Sequence, residues 1–394
     1  MPKNIVICCD GTGNEFGNAN SNVVQLYSVL DLRDPRLQVA YYHPGVGTMG
    51  DRRALLRITR RVTRALGLAF GYGLSSNIAD AYSFLMNEYE PGDKLFVFGF
   101  SRGAYTARAL CGMIYKFGLI SKGNEGLVAY AARMYRYAPK DETIAAKFKQ
   151  IFSRSCPTYF LGLWDTVSSI GWITDPVHLP YTRTNPELKI ARHAISIDER
   201  RCFYRQNLLA PWRQAQPPQD IQQVWFAGVH SDVGGSYEEP PTGLRLPRIS
   251  LRWMLEEAVA AGLLVDDARV KTVLGNGQNA LQLEHEIEPH NSLKRVWWLL
   301  EFLPHRYEMQ VLGSDGRPVL DAGGKPQWVT RWRWSPGKPR TIVEGACIHA
   351  SVDQLRRQSP DYQPRNLPAT FTVVPAPLPA STGSEAPPAG PSPQ

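Results

Sequence analysis

The 394-residue chain is 43% hydrophobic and 20% charged, an ordinary composition for a soluble globular protein with ample material for a core. Its net charge of +8 permits attraction to anionic lipid or nucleic acid and demands neither. The longest strongly apolar stretch, residues 296–303, is interrupted by Glu301 and is far too short to span a bilayer.

Met1-Pro-Lys-Asn runs straight into a predicted strand at 4–9, so no signal peptide is expected. Cys8 and Cys9 stand side by side in that strand, pointing to opposite faces as small core hydrophobes. The 6 cysteines show no C-x-x-C pairing, and a reduced, cytosolic fold is expected. Asp10-Gly-Thr-Gly-Asn14 follows, then helical spacing at 22–30 and a strand at 37–42. Residues 51–70 read DRRALLRITRRVTRALGLAF. Leu55, Ile58, Val62, Leu66 and Ala69 recur at helical spacing, while Arg53, Arg57, Arg60, Arg61 and Arg64 crowd the other side. Such a helix either packs on the core with a solvated arginine face or forms a lid in peripheral contact with an anionic membrane surface.

A helix at 75–89 leads to a strand at 94–100 and then to Gly99-Phe-Ser101-Arg-Gly103, the G-x-S-x-G pattern, with a helix predicted at 102–117. Ser101 therefore sits where a buried strand turns sharply into a helix. The flanking glycines let strand and helix approach closely, and the helix N-terminus lies beneath the serine to favour a developing negative charge. Helices follow at 124–138 and 141–152, with strands at 157–164 and 222–229 and a helix at 249–261. Strands alternating with helices predict an α/β fold, a mostly parallel sheet covered on both faces, and no repeat is visible. From 265 to 345 the pattern degrades into Gly-, Pro- and Trp-rich segments, expected to be an insertion or cap. Within it, Trp297, Trp298 and Phe302 flanked by Lys294 and Arg295 either pack inward or form a membrane foot. Residues 371–394 are expected to be a disordered Pro-rich tail.

In open α/β sheets ligands bind beyond the carboxyl ends of the strands. Four predicted strands end there in reactive or glycine-rich sequence, at Asp10, Ser101, Asp165 and His230. The order Ser…Asp…His is the chain order of α/β-hydrolases, which makes residues 1–370 a single domain of that type. In this placement Ser101 attacks an ester carbonyl, His230 takes its proton, and Asp165 fixes the imidazole tautomer. Each candidate has a plainer role available. Asp165 also suits a helix N-cap, and His230 a hydrogen-bonded loop histidine. His349 and His43 compete as the base. Asp232 is an alternative orienting acid, although two residues from His230 it better suits a loop brace. Asp10 resembles the start of a phosphoryl-transfer motif whose first aspartate would fall at Cys8, leaving that chemistry without a nucleophile. Gly11, Thr12 and Gly13 instead suit a second oxyanion donor, the first being the N–H of Arg102. No metal or organic cofactor is expected, because a triad supplies its own nucleophile. Nucleic acid is not an expected partner, since no recognised motif accompanies the basic residues.

A series of ordered motifs strengthens this reading: Cys9-Asp-Gly-Thr12, Gly45-Val-Gly-Thr48, Gly92-Asp, Gly99-Phe-Ser-Arg-Gly-Ala-Tyr-Thr-Ala-Arg108 and Gly162-Leu-Trp-Asp-Thr-Val167. They continue with Ile197-Asp-Glu-Arg-Arg201, Trp225-Phe-Ala-Gly-Val-His-Ser-Asp-Val-Gly-Gly235 and Leu251-Arg-Trp-Met254. Together they resemble the family-one phospholipase effectors of type VI secretion, an α/β-hydrolase family long filed as a domain of unknown function. The resemblance covers about residues 3–260, with Ile348-His-Ala-Ser351 as a weaker late match. It implies a serine esterase acting on lipid, with Ser101 as nucleophile. It also implies export by a type VI secretion system, with a secretion-machinery or immunity partner for an exported effector. The rival readings are a small-ester hydrolase or acyltransferase without membrane affinity, and a catalytically silent binding module.

Overall fold

Alternation along the strands sets the layers. In β1 (Asn4–Cys9), Ile5, Ile7 and Cys9 enter one core, while Val6 and Cys8 enter the other. In β3 (Lys94–Phe100), Leu95 and Val97 face the first core and Phe96, Phe98 and Phe100 the second. Helices α2 (Phe70–Glu88), α3 (Arg102–Phe117), α4 (Gly126–Tyr137) and α5 (Glu142–Phe152) cover the first face. The second face is covered by α1 (Asn22–Ser28), α7 (Leu246–Ala260), α8 (Asp267–Leu274) and α9 (Ala350–Gln358); the five-residue α6 (His230–Gly234) lies at the sheet's end. The computed structural model describes residues 2–11, 17, 19–45, 70–137, 142–167, 171–172, 175–176, 179–212, 214–237, 246–275, 289–294, 297–298, 301, 305–310, 319, 328–333 and 336–375.

The remaining strands of the main sheet are β2 (Gln38–His43), β4 (Thr158–Trp164), β5 (Ile190–Ser196), β6 (Asp220–Phe226), β7 (Ala346–His349) and β8 (Phe371–Val374). They assemble in the order β8-β7-β6-β5-β4-β3-β1-β2, and every neighbouring pair is parallel. The chain leaves β1 toward β2 and returns on its other side as β3, so winding reverses there and opens a crevice at the carboxyl ends. This is an α/β-hydrolase-like sheet. Ladder bonds continue past the strand ends: Ser101 N donates to Trp164 O at 3.0 Å, and Asp165 N to Ala194 O at 2.7 Å.

Three differences from the sequence reading have physical causes. Strand β5 was not expected, because Arg192 and His193 interrupt its apolar run. Arg192 is matched by Asp220 (2.7 Å) and Glu257 (2.6 Å), and His193 accepts from Thr166 N at 3.1 Å, so both polar groups are buried without loss. Strands β7 and β8 are only four residues long, too short for a periodic signal. Phe371–Val374 pairs with β7, so the first four residues of the expected 371–394 tail form a strand. Of the 265–345 region, α8 and an antiparallel hairpin, His305–Gln310 with Trp328–Arg333, are described. Residues 51–69, which carry the basic amphipathic pattern, lie outside the described residues.

Candidate active site

Ser101 links the end of β3 to the start of α3, with φ 59° and ψ −120°. For a non-glycine residue this conformation costs about 1–3 kcal/mol, and such strain clusters at functional sites. The first turn of α3 rises directly beneath the end of β1. A Cβ on Gly103 would press into the carbonyl oxygens of Cys9 and Asp10, so only glycine permits that approach. Ser101 is buried but not sealed, at 7% exposure.

His230 opens α6, one short loop beyond β6, and Asp165 follows β4. Ser101 Oγ lies 2.8 Å from His230 Nε2, and His230 Nδ1 lies 2.5 Å from Asp165 Oδ2. With Nδ1 donating to the carboxylate, Nε2 is left as the acceptor for the serine hydroxyl. The imidazole is clasped between Phe100, ring centroids 4.7 Å apart, and Tyr204, edge-on at 4.8 Å. Burial lowers its pKa below the ordinary histidine range, against the opposing pull of Asp165. Burial alone would raise the Asp165 carboxyl, but Arg340 and His230 overcome this and hold it well below the usual carboxylate range.

Sequence reasoning missed the groups behind these three. Arg340 donates to both Asp165 oxygens, Nη1 to Oδ1 at 2.5 Å and Nη2 to Oδ2 at 3.0 Å. Ser196, at the end of β5, adds its N–H (2.9 Å) and hydroxyl (3.1 Å) to the same carboxylate. Glu199 accepts the backbone N–H of His230 at 3.2 Å and grips Arg201 through Nε (2.9 Å) and Nη2 (2.8 Å). Burial would raise the Glu199 carboxyl, but Arg201 brings it down to about 2. The Arg201 guanidinium stacks on Tyr204 at 3.6 Å and on Trp297 at 4.8 Å. Glu199 and Arg201 belong to the Ile197-Asp-Glu-Arg-Arg201 motif, which was visible in the sequence without a role. Arg340 carried no signal, standing 175 residues from Asp165 in Pro-rich sequence.

The other sequence candidates lie elsewhere in the network. Asp10 accepts from Ser21 Oγ (2.8 Å), Tyr42 OH (2.7 Å) and Gly11 N (2.6 Å). The Gly11 N–H is therefore turned to Asp10 rather than toward Ser101. Arg102 occupies the first position of α3, whose N–H the helix itself does not consume, and Thr12 lies outside the described residues. Asp232 braces the loop, accepting from Val229 N (3.0 Å) and His290 Nδ1 (2.6 Å). His349 caps α9, bonding Ser351 Oγ at 2.8 Å and stacking on Phe226. His43 faces Asp80 at 3.8 Å. Trp297 packs inward on Tyr204, whereas Trp298 is 41% exposed. Among the described residues, no His, Cys, Asp and Glu cluster could hold a metal ion.

A strained serine at a helix N-terminus, bonded to a neutral imidazole whose other nitrogen is tied to a carboxylate, can deliver an alkoxide to a carbonyl carbon. Comparison with known proteins places the chain in a family. An uncharacterized protein of Saccharomyces cerevisiae, YEL023C, is 38% identical over 226 residues, 53% of this chain and 33% of that protein. The chain thus spans about a third of that relative's length. A crystal structure of an uncharacterized protein from Pseudomonas aeruginosa aligns with TM-score 0.40 at 20% identity, covering 68% of this chain and 47% of that one. The Tle1 effector bound to the VgrG spike of the type VI secretion system aligns with TM-score 0.42 at 16% identity, covering 86% and 92%. Residues 3–257 match the catalytic domain of Tle1-like phospholipase effectors of that system. With well over half of its length inside that match, the chain belongs to the Tle1-like phospholipase effector family.

Proposed function

We propose that this chain is a serine hydrolase that cleaves carboxylic esters of phospholipids, with Ser101 as nucleophile, His230 as general base and Asp165 as the carboxylate that orients it. The observation that carries the reading is the unbroken run from Ser101 Oγ through both nitrogens of His230 (2.8 and 2.5 Å) to Asp165 Oδ2, at the carboxyl ends of one sheet. Ser101 Oγ adds to the ester carbonyl carbon as its proton passes to His230 Nε2. The tetrahedral oxyanion is met by the N–H of Arg102 and the positive end of α3. Collapse expels the alcohol, which takes the proton back from His230 and leaves an acyl group on Ser101. Water then repeats the sequence in reverse and frees the fatty acid. Gly11 joins as a donor only when its N–H leaves Asp10.

The lipid part of the reading rests on membership of a phospholipase effector family. The same membership supports a component of the type VI secretion apparatus as partner. Among the described residues, no helix is long and apolar enough to cross a membrane. A fluorophosphonate probe tests the nucleophile: the parent should be labelled on Ser101 and Ser101→Ala should not. Phospholipid vesicles compared with a short-chain soluble ester then test the substrate class. Labelling at Ser101 with turnover of the soluble ester alone would give a small-ester hydrolase, and no labelling at all would leave a binding module.

A further inference from the structure

Asp165, the carboxylate bonded to the His230 ring, is gripped on both oxygens by a buried guanidinium, as Glu199 is by Arg201. Arg340 is 1% exposed, and its remaining donors are absorbed by Ser196 O (3.1 Å), Ser196 Oγ (2.8 Å) and the carbonyl of Tyr204. Asn366 Nδ2 bridges the Arg340 carbonyl (3.1 Å) and that of Ile197 (3.0 Å), so the segment bearing Arg340 is clamped to the end of β5. A bidentate pair of this kind fixes the plane of a carboxylate as well as its position.

We propose that Arg340 is a positioning residue for the hydrolytic reaction: it holds the Asp165 carboxylate against His230 Nδ1 and, by neutralising that carboxylate, keeps His230 a weaker base. Protonation of His230 then adds a charge to a neutral Asp165–Arg340 pair rather than to a bare anion. Other groups face the imidazole as well. Glu199 and Arg201 come from the turn after β5 and hold each other, Tyr204 presents its ring, Ser101 comes from α3, and Asp232 on α6 itself is occupied by His290. Arg201 also bears on the imidazole through its charge, but among the described residues it is Arg340 that binds the carboxylate hydrogen-bonded to the His230 ring. Because Arg340 lies beyond the 257th residue, where the family match ends, the site is completed by the C-terminal third of the chain.

The inference deepens the hydrolase reading, yet its first test needs no turnover. The pKa of His230 is followed by NMR of its ring protons in the full-length parent, Arg340→Gln and Arg340→Lys. Removing the cation should raise it by about one unit in Arg340→Gln, because a nearby like charge disfavours the protonated imidazole by roughly that much. Arg340→Lys should stay near the parent. In the second test, the acid limb of kcat/KM on a soluble ester should move up by the same amount in Arg340→Gln, with a plateau about ten- to a hundredfold lower that Arg340→Lys restores in part. An unchanged His230 pKa in a folded Arg340→Gln protein would overturn the proposal, leaving Arg340 a packing residue. If Arg340→Gln does not fold, Arg340→Lys decides: wild-type titration and partly retained plateau support it, whereas full loss with wild-type titration does not. A parent that titrates as expected but turns over no ester would sink the hydrolase reading, while the effect of Arg340 on the Asp165–His230 pair would still be read from the titration.

Discussion

At the scale of single residues, histidines with similar sequence credentials are separated by their partners. His230 touches Ser101 and Asp165, His349 touches Ser351 and Phe226, and His43 faces Asp80. Ser101→Ala and His230→Ala should each lower ester turnover by at least about a thousandfold, because members of such a unit fail together. His349→Ala and His43→Ala should retain most of it, which parallel assays on one substrate would check. As the proposed base, His230 works only when neutral, and burial depresses its pKa, so activity should persist below the ordinary histidine pKa before falling as pH drops. His349 supplies a separate pH effect on stability. Burial holds its pKa down to about 4, so below about 6.5 the unfolded chain accepts a proton that the fold refuses. Stability should therefore fall as pH drops from about 6.5 to about 4, by on the order of 2 kcal/mol from this residue. Melting temperatures at pH 7 and 4.5 should show a smaller drop for His349→Gln than for the parent.

At the scale of elements, the elbow depends on two backbones meeting. Gly103→Ala would drive a methyl into the carbonyls of Cys9 and Asp10, neither of which can move without displacing β1 or its following loop. Overpacking of this kind costs about 1–3 kcal/mol, and here it also tilts Ser101 away from His230. The expected result is a lowered melting temperature together with slowed fluorophosphonate labelling; unchanged labelling would mean that the first turn of α3 tolerates the shift. Strand β5 belongs to the same scale. Its arginine and histidine obscure it in the sequence, yet its end supplies Ser196 to the Asp165 carboxylate.

At the scale of the whole molecule, the region after α8 returns to the site. Glu301 is fully buried and accepts from Cys202 N (2.6 Å) and Gly337 N (2.9 Å), joining the turn after β5 to the segment that ends in Arg340. Arg200 and Arg205 donate to the carbonyls of Gly337 and Lys338 across the same seam. Glu301→Gln would set an amide N–H₂ against a backbone N–H, leaving one buried donor unmatched at a cost of about 1–3 kcal/mol. Hydrogen exchange in residues 336–341 should rise and ester turnover fall, although Glu301 touches none of Ser101, His230 or Asp165. Exchange that rises without loss of turnover would uncouple this seam from the chemistry.

The sequence by itself determined the parallel α/β sheet, the two-faced core and the strand ends at which Ser101, Asp165 and His230 stand. Those properties follow from local alternation, glycine spacing and chain order, which are written along a few contiguous segments. Tertiary structure alone decided which histidine meets the serine, that the Gly11 N–H turns to Asp10, and that Arg340 and Ser196 hold the acid. Such contacts join residues far apart in the chain through side chains whose direction no local pattern encodes. A buried guanidinium is matched by whatever carboxylate the fold brings to it, and only the folded sheet brings Asp165 to Arg340.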